Sequence, residues 1–514
     1  MSFSPFTTQP DPPHMPRYTL ALLAALLLAP LAVIAAQPSS RDSLPAAAGS
    51  RPNIVWIIGD DLGVELGCYG NPDARTPNLD RLASEGTRYA NAFATAPICS
   101  ASRSAFITGM YQTHIGCMDH RTMLKQPLPE GVHPITRYLR EAGYVCANIR
   151  GLGANAKEDF NFANKNVFDH KDVAALEEAV AAGRPFFAQF NFLEPHRDFS
   201  KLDPGERGAD PRKVHLPPSY PDHPVARKDW AEYLDAIQVC DRKIGQLLAW
   251  LERQQVADNT LIFLFGDNGR PHVWDKQWLS DAGLRVPLIV RWRGRVPAGK
   301  TEARLVSLID VSAQTLHSTG LPLPAGMDGR AFLGHDTVPR VYAFGARDRC
   351  GEAFDRIRSV HSERFNYIRN YYPELPYWQT SRYKSVQYPV LALLKKLHAE
   401  GGLTPAQDRH LADTKPVEEL YDLKADPHEL HNLASDPAYA SDLNSLRREL
   451  DAWIQTTDQR ATTFESAEEY RLAVESSERQ ERFVADDWDK RTEPIVTELR
   501  ARGFRPVGKQ EAKP

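Results

Sequence analysis

Three runs of apolar residues share one shape. In NIVWIIGDDLG, Ile54 to Ile58 is an unbroken, largely β-branched stretch that stops at Asp60-Asp61. PFFAQFNFLEPH, 185–196, stops at Glu194-Pro195-His196, and NTLIFLFGDNG, 259–269, stops at Asp267-Asn268. Continuous apolar runs of this length predict strands buried on both faces, as in a parallel sheet. GYVCANI, 143–149, and RVPLIVRW, 285–292, predict two more. Between them, Trp230, Tyr233, Leu234, Ile237, Ile244, Leu247, Leu248 and Leu251 recur at helical spacing, which predicts an amphipathic helix of several turns. TPNLDRLASEG, 76–86, predicts a helix opened by a Thr-Pro cap and closed by glycine. Strands alternating with helices define an α/β fold with a mostly parallel sheet, and such sheets bind ligands at the carboxyl ends of their strands. Three polar strand ends therefore mark a site.

The pattern changes near residue 340. RIRSVHSERFNYIRNYY, 356–372, predicts hairpin strands, and PVEELYDLKADPHELHNLASDP, 416–437, a strand, a turn and a helix start. SDLNSLRRELDAWIQ, 441–455, predicts a helix. The expected organisation is a catalytic domain over 52–345, a smaller α+β domain over 346–457 and a charged, partly helical tail over 458–514. No internal repeat is visible.

The N-terminal end stands apart. PRYTLALLAALLLAPLAVIAAQ places Arg17 before an apolar run from Leu20 to Ile34 and small residues after it, the pattern of a secretory signal over 1–36 with cleavage near Ala35 or Ala36. The run is short for a membrane span and contains Pro30, so no stable membrane anchor is expected. A linker, 37–51, follows, and the mature chain is expected in the periplasm or outside the cell. Composition adds little beyond this: the 514 residues are 42% hydrophobic and 25% charged with a net charge of −4, which excludes nucleic-acid binding by bulk charge. No pair among the six cysteines has metal-site spacing; one or two disulfides are compatible with export.

The chemistry begins with Asp60, Asp61, Asp267 and Asn268, four hard oxygen donors that suit calcium or magnesium better than zinc. Each pair alone is also ordinary turn chemistry. A second cluster, Cys99-Ser100-Ala101-Ser102-Arg103, opens a predicted helix whose free N–H groups favour an anion; Arg103 can fork onto two oxygens of a phosphate or sulfate. In isolation CSASR reads as a structural cysteine near a helix start.

Taken in order, NIVWIIGDDLG, TPNLDRLASEGTRYANAF, CSASR followed by SAFITGMY, FLEPHRDF, and GDNG with Lys276 and GLRVPLIVRW resemble the sulfatase family over about residues 51–457. TGMYQTHIGCMDHR and the C-terminal part most resemble the branch that includes N-sulfoglucosamine sulfohydrolase. The resemblance implies an alkaline-phosphatase-like fold and a sulfatase acting on a sulfated carbohydrate. It implies that a formylglycine-generating or anaerobic maturation enzyme oxidises Cys99 to formylglycine, and that one calcium ion sits on Asp60, Asp61, Asp267, Asn268 and the residue derived from Cys99. One oxygen of the hydrated aldehyde then attacks sulfur, the alcohol leaves, and loss of a proton from the other oxygen expels sulfate. Arg103 would stabilise the hydrate, His196 would stand near the leaving oxygen, and Lys276 beside the sulfate would be a buried lysine with a lowered pKa, able to act as an acid. Many relatives carry Gly-Lys-Trp-His after the strand at GYVCANI; here the resemblance makes Lys157-Glu158-Asp159 the counterpart, so Lys157 is the second catalytic lysine and the usual histidine base is absent, leaving Asp159, His120 or water. His120, Arg121 and Arg197 are candidates for gripping the sugar, with His114, His272 and Trp274 weaker ones. The alternatives are a sulfamidase acting on N-sulfoglucosamine, a phosphomonoester or phosphonate hydrolase, and a non-catalytic carbohydrate-binding relative.

Overall fold

The computed structural model describes residues 51–458 except 164, 165, 335, 336 and 380, together with 468, 471, 472, 497 and 501. The signal and linker expected before residue 51, and nearly all of the expected tail, lie outside the described residues. The strands are β1 (Asn53–Gly59), β2 (Thr87–Phe93), β3 (Val145–Arg150), β4 (Phe186–Phe192), β5 (Thr260–Gly266), β6 (Arg285–Arg291), β7 (Lys300–Ser307), β8 (Ala343–Arg347), β9 (Ile357–His361), β10 (Phe365–Asn370) and β11 (Glu418–Asp422). The helices are α1 (Pro77–Glu85), α2 (Cys99–Thr108), α3 (Ile135–Glu141), α4 (Ala174–Ala181), α5 (Pro224–Arg253), α6 (Asp281–Leu284), α7 (Ile309–Ser318), α8 (Arg382–Gln387), α9 (Pro389–Ala399), α10 (Pro405–Asp408) and α11 (Ala440–Thr457).

One sheet runs β3-β4-β1-β5-β6-β2-β7. The pairs β3–β4, β4–β1, β1–β5 and β2–β7 are parallel, while β6 runs antiparallel to both β5 and β2. Strand β6 was expected as a strand; its reversed direction was not visible in the sequence. Both faces of the sheet are covered. Ile54, Trp56 and Ile58 pack with Phe106, Leu139 and Leu316 on one side. Val55 and Ile57 pack with Leu79, Ile237 and Leu247 on the other. This period-2 division inside an unbroken apolar run is what a doubly covered sheet requires. The fold is α/β, a mostly parallel sheet with helices on both faces.

The second sheet, β11-β10-β9-β8, is antiparallel throughout. Its inner face packs against α11 and meets the first sheet's helices through Ala105 of α2 and Ile309 of α7, with Tyr111 just after α2. Helix α1 starts where expected, but Thr76 does not cap it. Its hydroxyl accepts from Gly67 N and donates to Asp80 Oδ1, tying the helix to the preceding loop instead. All six cysteines are free thiols, so no disulfide supports the fold. Among the described residues no helix is long and apolar enough to cross a membrane.

Candidate active site

Register builds the site. Gly59 of β1 lies opposite Gly266 of β5, so Asp60 and Asp267 leave the sheet side by side. A Cβ on Gly266 would fall 2.1 Å from the Leu62 carbonyl, which is why glycine ends this strand. Asp61 adopts a left-handed backbone with φ of 62°, tolerated by aspartate, and its N–H donates to Asp267 Oδ1 at 2.9 Å. Strand β2 also ends at this edge, and the chain then reaches Cys99, the first residue of α2. Every residue of α2 is buried.

Asp60, Asp61, Asp267 and Cys99 each offer a ligand atom, all within 4.8 Å of one another. The Cys99 thiol is 1% exposed and lies 3.9 Å from Asp61 Oδ1; burial pushes it up, out of the range of a spontaneous thiolate. Three cations interleave with the three carboxylates. Arg103 donates from Nε to Asp267 Oδ2 at 2.8 Å, from Nη2 to Asp60 Oδ1 at 3.2 Å and from Nη1 to Asn191 Oδ1 at 2.7 Å. Lys157 Nζ bridges both Asp60 oxygens at 3.0 and 2.9 Å. Lys276 Nζ donates to Asp61 Oδ2 at 2.6 Å. His196 Nε2 stands 3.8 Å from the same oxygen, and its Nδ1 contacts the Arg197 carbonyl.

These pairs set the ionisation. Burial pushes Asp60 up, but Lys157, Arg103 and His196 outweigh it and hold the carboxyl well below its usual range. Asp267 is pushed up by burial and by the neighbouring Asp60 charge, against the pull of Arg103. Lys276 corrects the expectation of a lowered pKa. Burial does lower it, yet the Asp61 carboxylate in contact raises it well above the usual lysine value, so it stands as a fixed cation.

The donor set fits a hard divalent cation. Asn268 donates its amide to Asp61 Oδ1 at 2.8 Å and to the Gly269 carbonyl at 2.9 Å, while its own Oδ1 is buried without a partner. A buried acceptor left unpaired beside three carboxylates is what a cation ligand looks like before its ion.

Above this cluster lies a cavity of about 120 Å³, lined by Cys99, His120, Arg121, His196, Lys276 and Tyr383 among others. The structure thus brings together Asp60, Asp61, Cys99, Arg103, Lys157, His196, Asp267, Asn268 and Lys276, with His120 and Arg121 at the cavity wall. Arg197 is a correction. It turns inward, forks onto Asp229 through two bonds of 2.6 Å and stacks on the rings of Phe199 and Tyr388. A carboxylate on the buried face of α5 has claimed it, because an unpaired guanidinium there would cost several kcal/mol. His272 stacks on Trp230 in the same buried region, His114 pairs with Asp328, and Trp274 stacks on His410; none lines the cavity. Asp159, one candidate base, is held down by Lys157 and Arg121 against the effect of burial.

Two residues were missed. Asn191 anchors Arg103 and is held in turn by Asn148, whose amide donates to the Lys157 carbonyl, so a buried polar ladder positions both cations. Its signal was present: Gln189 and Asn191 interrupt the apolar run of β4. Tyr383 left none, since it arrives from a segment about 185 positions after His196.

A buried acidic cluster and a cysteine at a helix start, on the carboxyl edge of this sheet, define an alkaline-phosphatase-like hydrolase. The sulfatase family model matches residues 52–321, and the model described as N-sulphoglucosamine sulphohydrolase, C-terminal, matches 269–380. An ulvan-active sulfatase from Formosa agariphila is 32% identical over 79% of this chain and 75% of its own length. The human N-sulphoglucosamine sulphohydrolase is 27% identical over 79% of this chain and 90% of its own. The fold is shared with a protein solved in complex with its substrate D-glucosamine-2-N,6-O-disulfate, with a TM-score of 0.59, 17% identity, and coverage of 80% of this chain and 100% of that one. The chain belongs to the sulfatase family and is a sulfuric ester hydrolase.

Proposed function

We propose that this protein removes sulfate from a sulfated carbohydrate through a formylglycine formed from Cys99 and a calcium ion held by Asp60, Asp61, Asp267 and Asn268. The observation that carries the reading is the convergence of the Cys99 thiol and three carboxylates within 4.8 Å at the foot of a cavity. The substrate class rests on the relatives, an ulvan-active sulfatase and an N-sulphoglucosamine sulphohydrolase.

When present, formylglycine supplies an oxygen nucleophile and calcium a Lewis acid for the sulfate oxygens. The chain's own groups do the rest. Lys276 and Lys157 set two positive charges about the anion, where preorganised cations stabilise developing charge without reorganising. Arg103 has its donors committed to Asp60, Asp267 and Asn191, and so acts by fixing the two metal-facing carboxylates. His196 lines the cavity and carries the proton delivered to the leaving oxygen. The apolar and aromatic remainder of the wall, Ile98, Met123 and Tyr383, limits water.

The reading includes export by the N-terminal signal and action of a maturation enzyme on residue 99. Its test is peptide mass and sulfate release on protein produced with such an enzyme. Conversion of Cys99 removes about 18 Da through loss of H2S and gain of oxygen. A peptide that keeps its thiol, or a converted protein that releases no sulfate from any sulfated sugar, would defeat the proposal. The match to the N-sulphoglucosamine sulphohydrolase C-terminal model favours a second reading, cleavage of a sulfamate, and N-sulfated glucosamine belongs in the same assay.

A further inference from the structure

Lys276 sits in a buried stretch without helix or strand, between β5 and α6. Carbonyls in such a stretch must find partners away from water. Three of them meet long donor side chains. Arg197 Nε donates to the Pro271 carbonyl at 3.0 Å, and Lys384 Nζ donates to the carbonyls of Val273 and Lys276. Just after Lys276, Gln277 adopts a left-handed backbone, φ of 77°, and its N–H donates at 2.9 Å to the carbonyl of Pro97, two residues before Cys99. A non-glycine residue in this conformation is held there by its surroundings. The main chain on both sides of Lys276 is therefore fastened.

A fastened backbone does not fix the ammonium, which ends a flexible four-carbon stem. Asp61 Oδ2 takes one of its three N–H donors. The ring of Tyr383 also faces it, with the centroid 5.4 Å from Nζ, within the range at which an aromatic face attracts a cation. The Tyr383 hydroxyl is buried without a hydrogen-bond partner among the described residues, so the ring carries the contact. The same ring lines the cavity and lies 6.0 Å from the imidazole of His196, centroid to centroid.

Tyr383 is itself braced. It belongs to α8, where its neighbour Lys384 is the residue bonded to the Lys276 carbonyl and where the Ser381 hydroxyl caps the helix start. Tyr388 stands edge-on to Tyr383 at 5.6 Å and is buried with Val273, Trp274, Leu391 and Leu394. Arg197 donates to the Gln387 carbonyl at 3.1 Å and stacks on Tyr388. Helix α8 thus reaches both ends of Lys276, the backbone through Lys384 and the ammonium through Tyr383. It begins after residues 52–321 and 269–380, so these contacts lie outside both matched stretches.

Resting on the role given to Lys276 above, we infer that Tyr383 is a positioning residue whose ring confines the Lys276 ammonium to the place where charge develops on the sulfate. Without the ring the ammonium keeps its charge but gains room to move. A group displaced by about an ångström loses much of its hold on a transition state.

The test measures kcat, KM and Tm of the matured protein on one sulfated sugar that the wild type hydrolyses. In Tyr383→Leu, which keeps bulk but no ring, kcat should fall about 10-fold or more with KM within about threefold. Tyr383→Phe, which keeps the ring, should hold kcat within about twofold of wild type. Added to Lys276→Met, the leucine substitution should cost less than about twofold more, whereas a role in packing alone would cost its full factor again. If Tyr383→Leu does not fold, Tyr383→Met is read in the same way. An unchanged kcat in the ringless variant, a loss in Tyr383→Phe as large as in Tyr383→Leu, or a full further loss in the double variant overturns the inference and leaves Lys276 in its role. Wild-type kcat in Lys276→Met overturns that role itself.

Discussion

Replacing Arg103 by methionine removes the guanidinium that separates Asp60 from Asp267 while keeping most of its apolar stem. Its two charge contacts, 2.8 and 3.2 Å, are each worth roughly 5 kcal/mol of attraction at an effective dielectric of about 20, much of it offset by burying the guanidinium. Breaking such a buried network leaves uncompensated carboxylates and costs about 3–5 kcal/mol net. With an unfolding entropy of about 2 cal/mol/K per residue over the roughly four hundred described residues, that is a Tm lower by about 4–6 °C in chelator. The variant also leaves three carboxylates facing two lysines. A divalent cation should then bind more tightly, and each tenfold gain in affinity adds about 1.4 kcal/mol of stabilisation at saturating ligand. The assay is thermal unfolding of wild type and Arg103→Met, with chelator and with excess calcium. A variant as stable as wild type in chelator would show that these ion pairs do not hold the cluster. A calcium shift no larger than that of wild type would show that Arg103 aids the cation by fixing its carboxylates more than it competes for them.

Cys99→Ala should abolish sulfate release yet unfold within about 2 °C of wild type, since it deletes only a small side chain; retained turnover would refute the nucleophile assignment. Lys384 buries its side-chain amine against the carbonyls of Val273 and Lys276, at 2.8 and 2.7 Å, so Lys384→Met frees the backbone that carries Lys276. Its kcat should fall about tenfold or more with KM less affected, and an unchanged kcat would refute a positioning role. Glu429 is pushed up to about 8, by burial and by the Asp281 charge, from an ordinary value of 4.5. The folded state thus holds a proton that the unfolded chain has already lost, and this contribution is complete below about 4.5 and fades as pH rises to 8. Stability should decline by up to about 1.4 kcal/mol per pH unit in that window, and Glu429→Gln should flatten the slope seen in denaturant titrations. An identical slope in the variant would place the titration elsewhere.

The parts legible in the sequence were those where local pattern and tertiary role coincide. Strands β1, β4 and β5 are apolar throughout because both faces are covered, and their polar ends are where the sheet opens. Strand β2, TRYANAF, was read as part of a motif and not as a strand: its mixed burial and the irregular register with β6 and β7 break both periodicities. Strand β7 carries charges on its exposed first half and was missed for the same reason. The metal-facing acids and CSASR were found from residue type and place. Arg197 was misread because its adjacency to His196 in sequence says nothing of Asp229, which waits on the buried face of α5.

The burial of α2 has a consequence for timing. A residue 1% exposed, fixed as the first position of a helix closed on every side, admits a small substrate through the cavity but not another protein's catalytic cleft. On the reading proposed above, an enzyme that alters residue 99 meets the segment as extended chain, before β2 pairs with β6 and α2 closes on β5. The proposed modification would then be in a race with folding, and a chain that folds first would keep its sulfur.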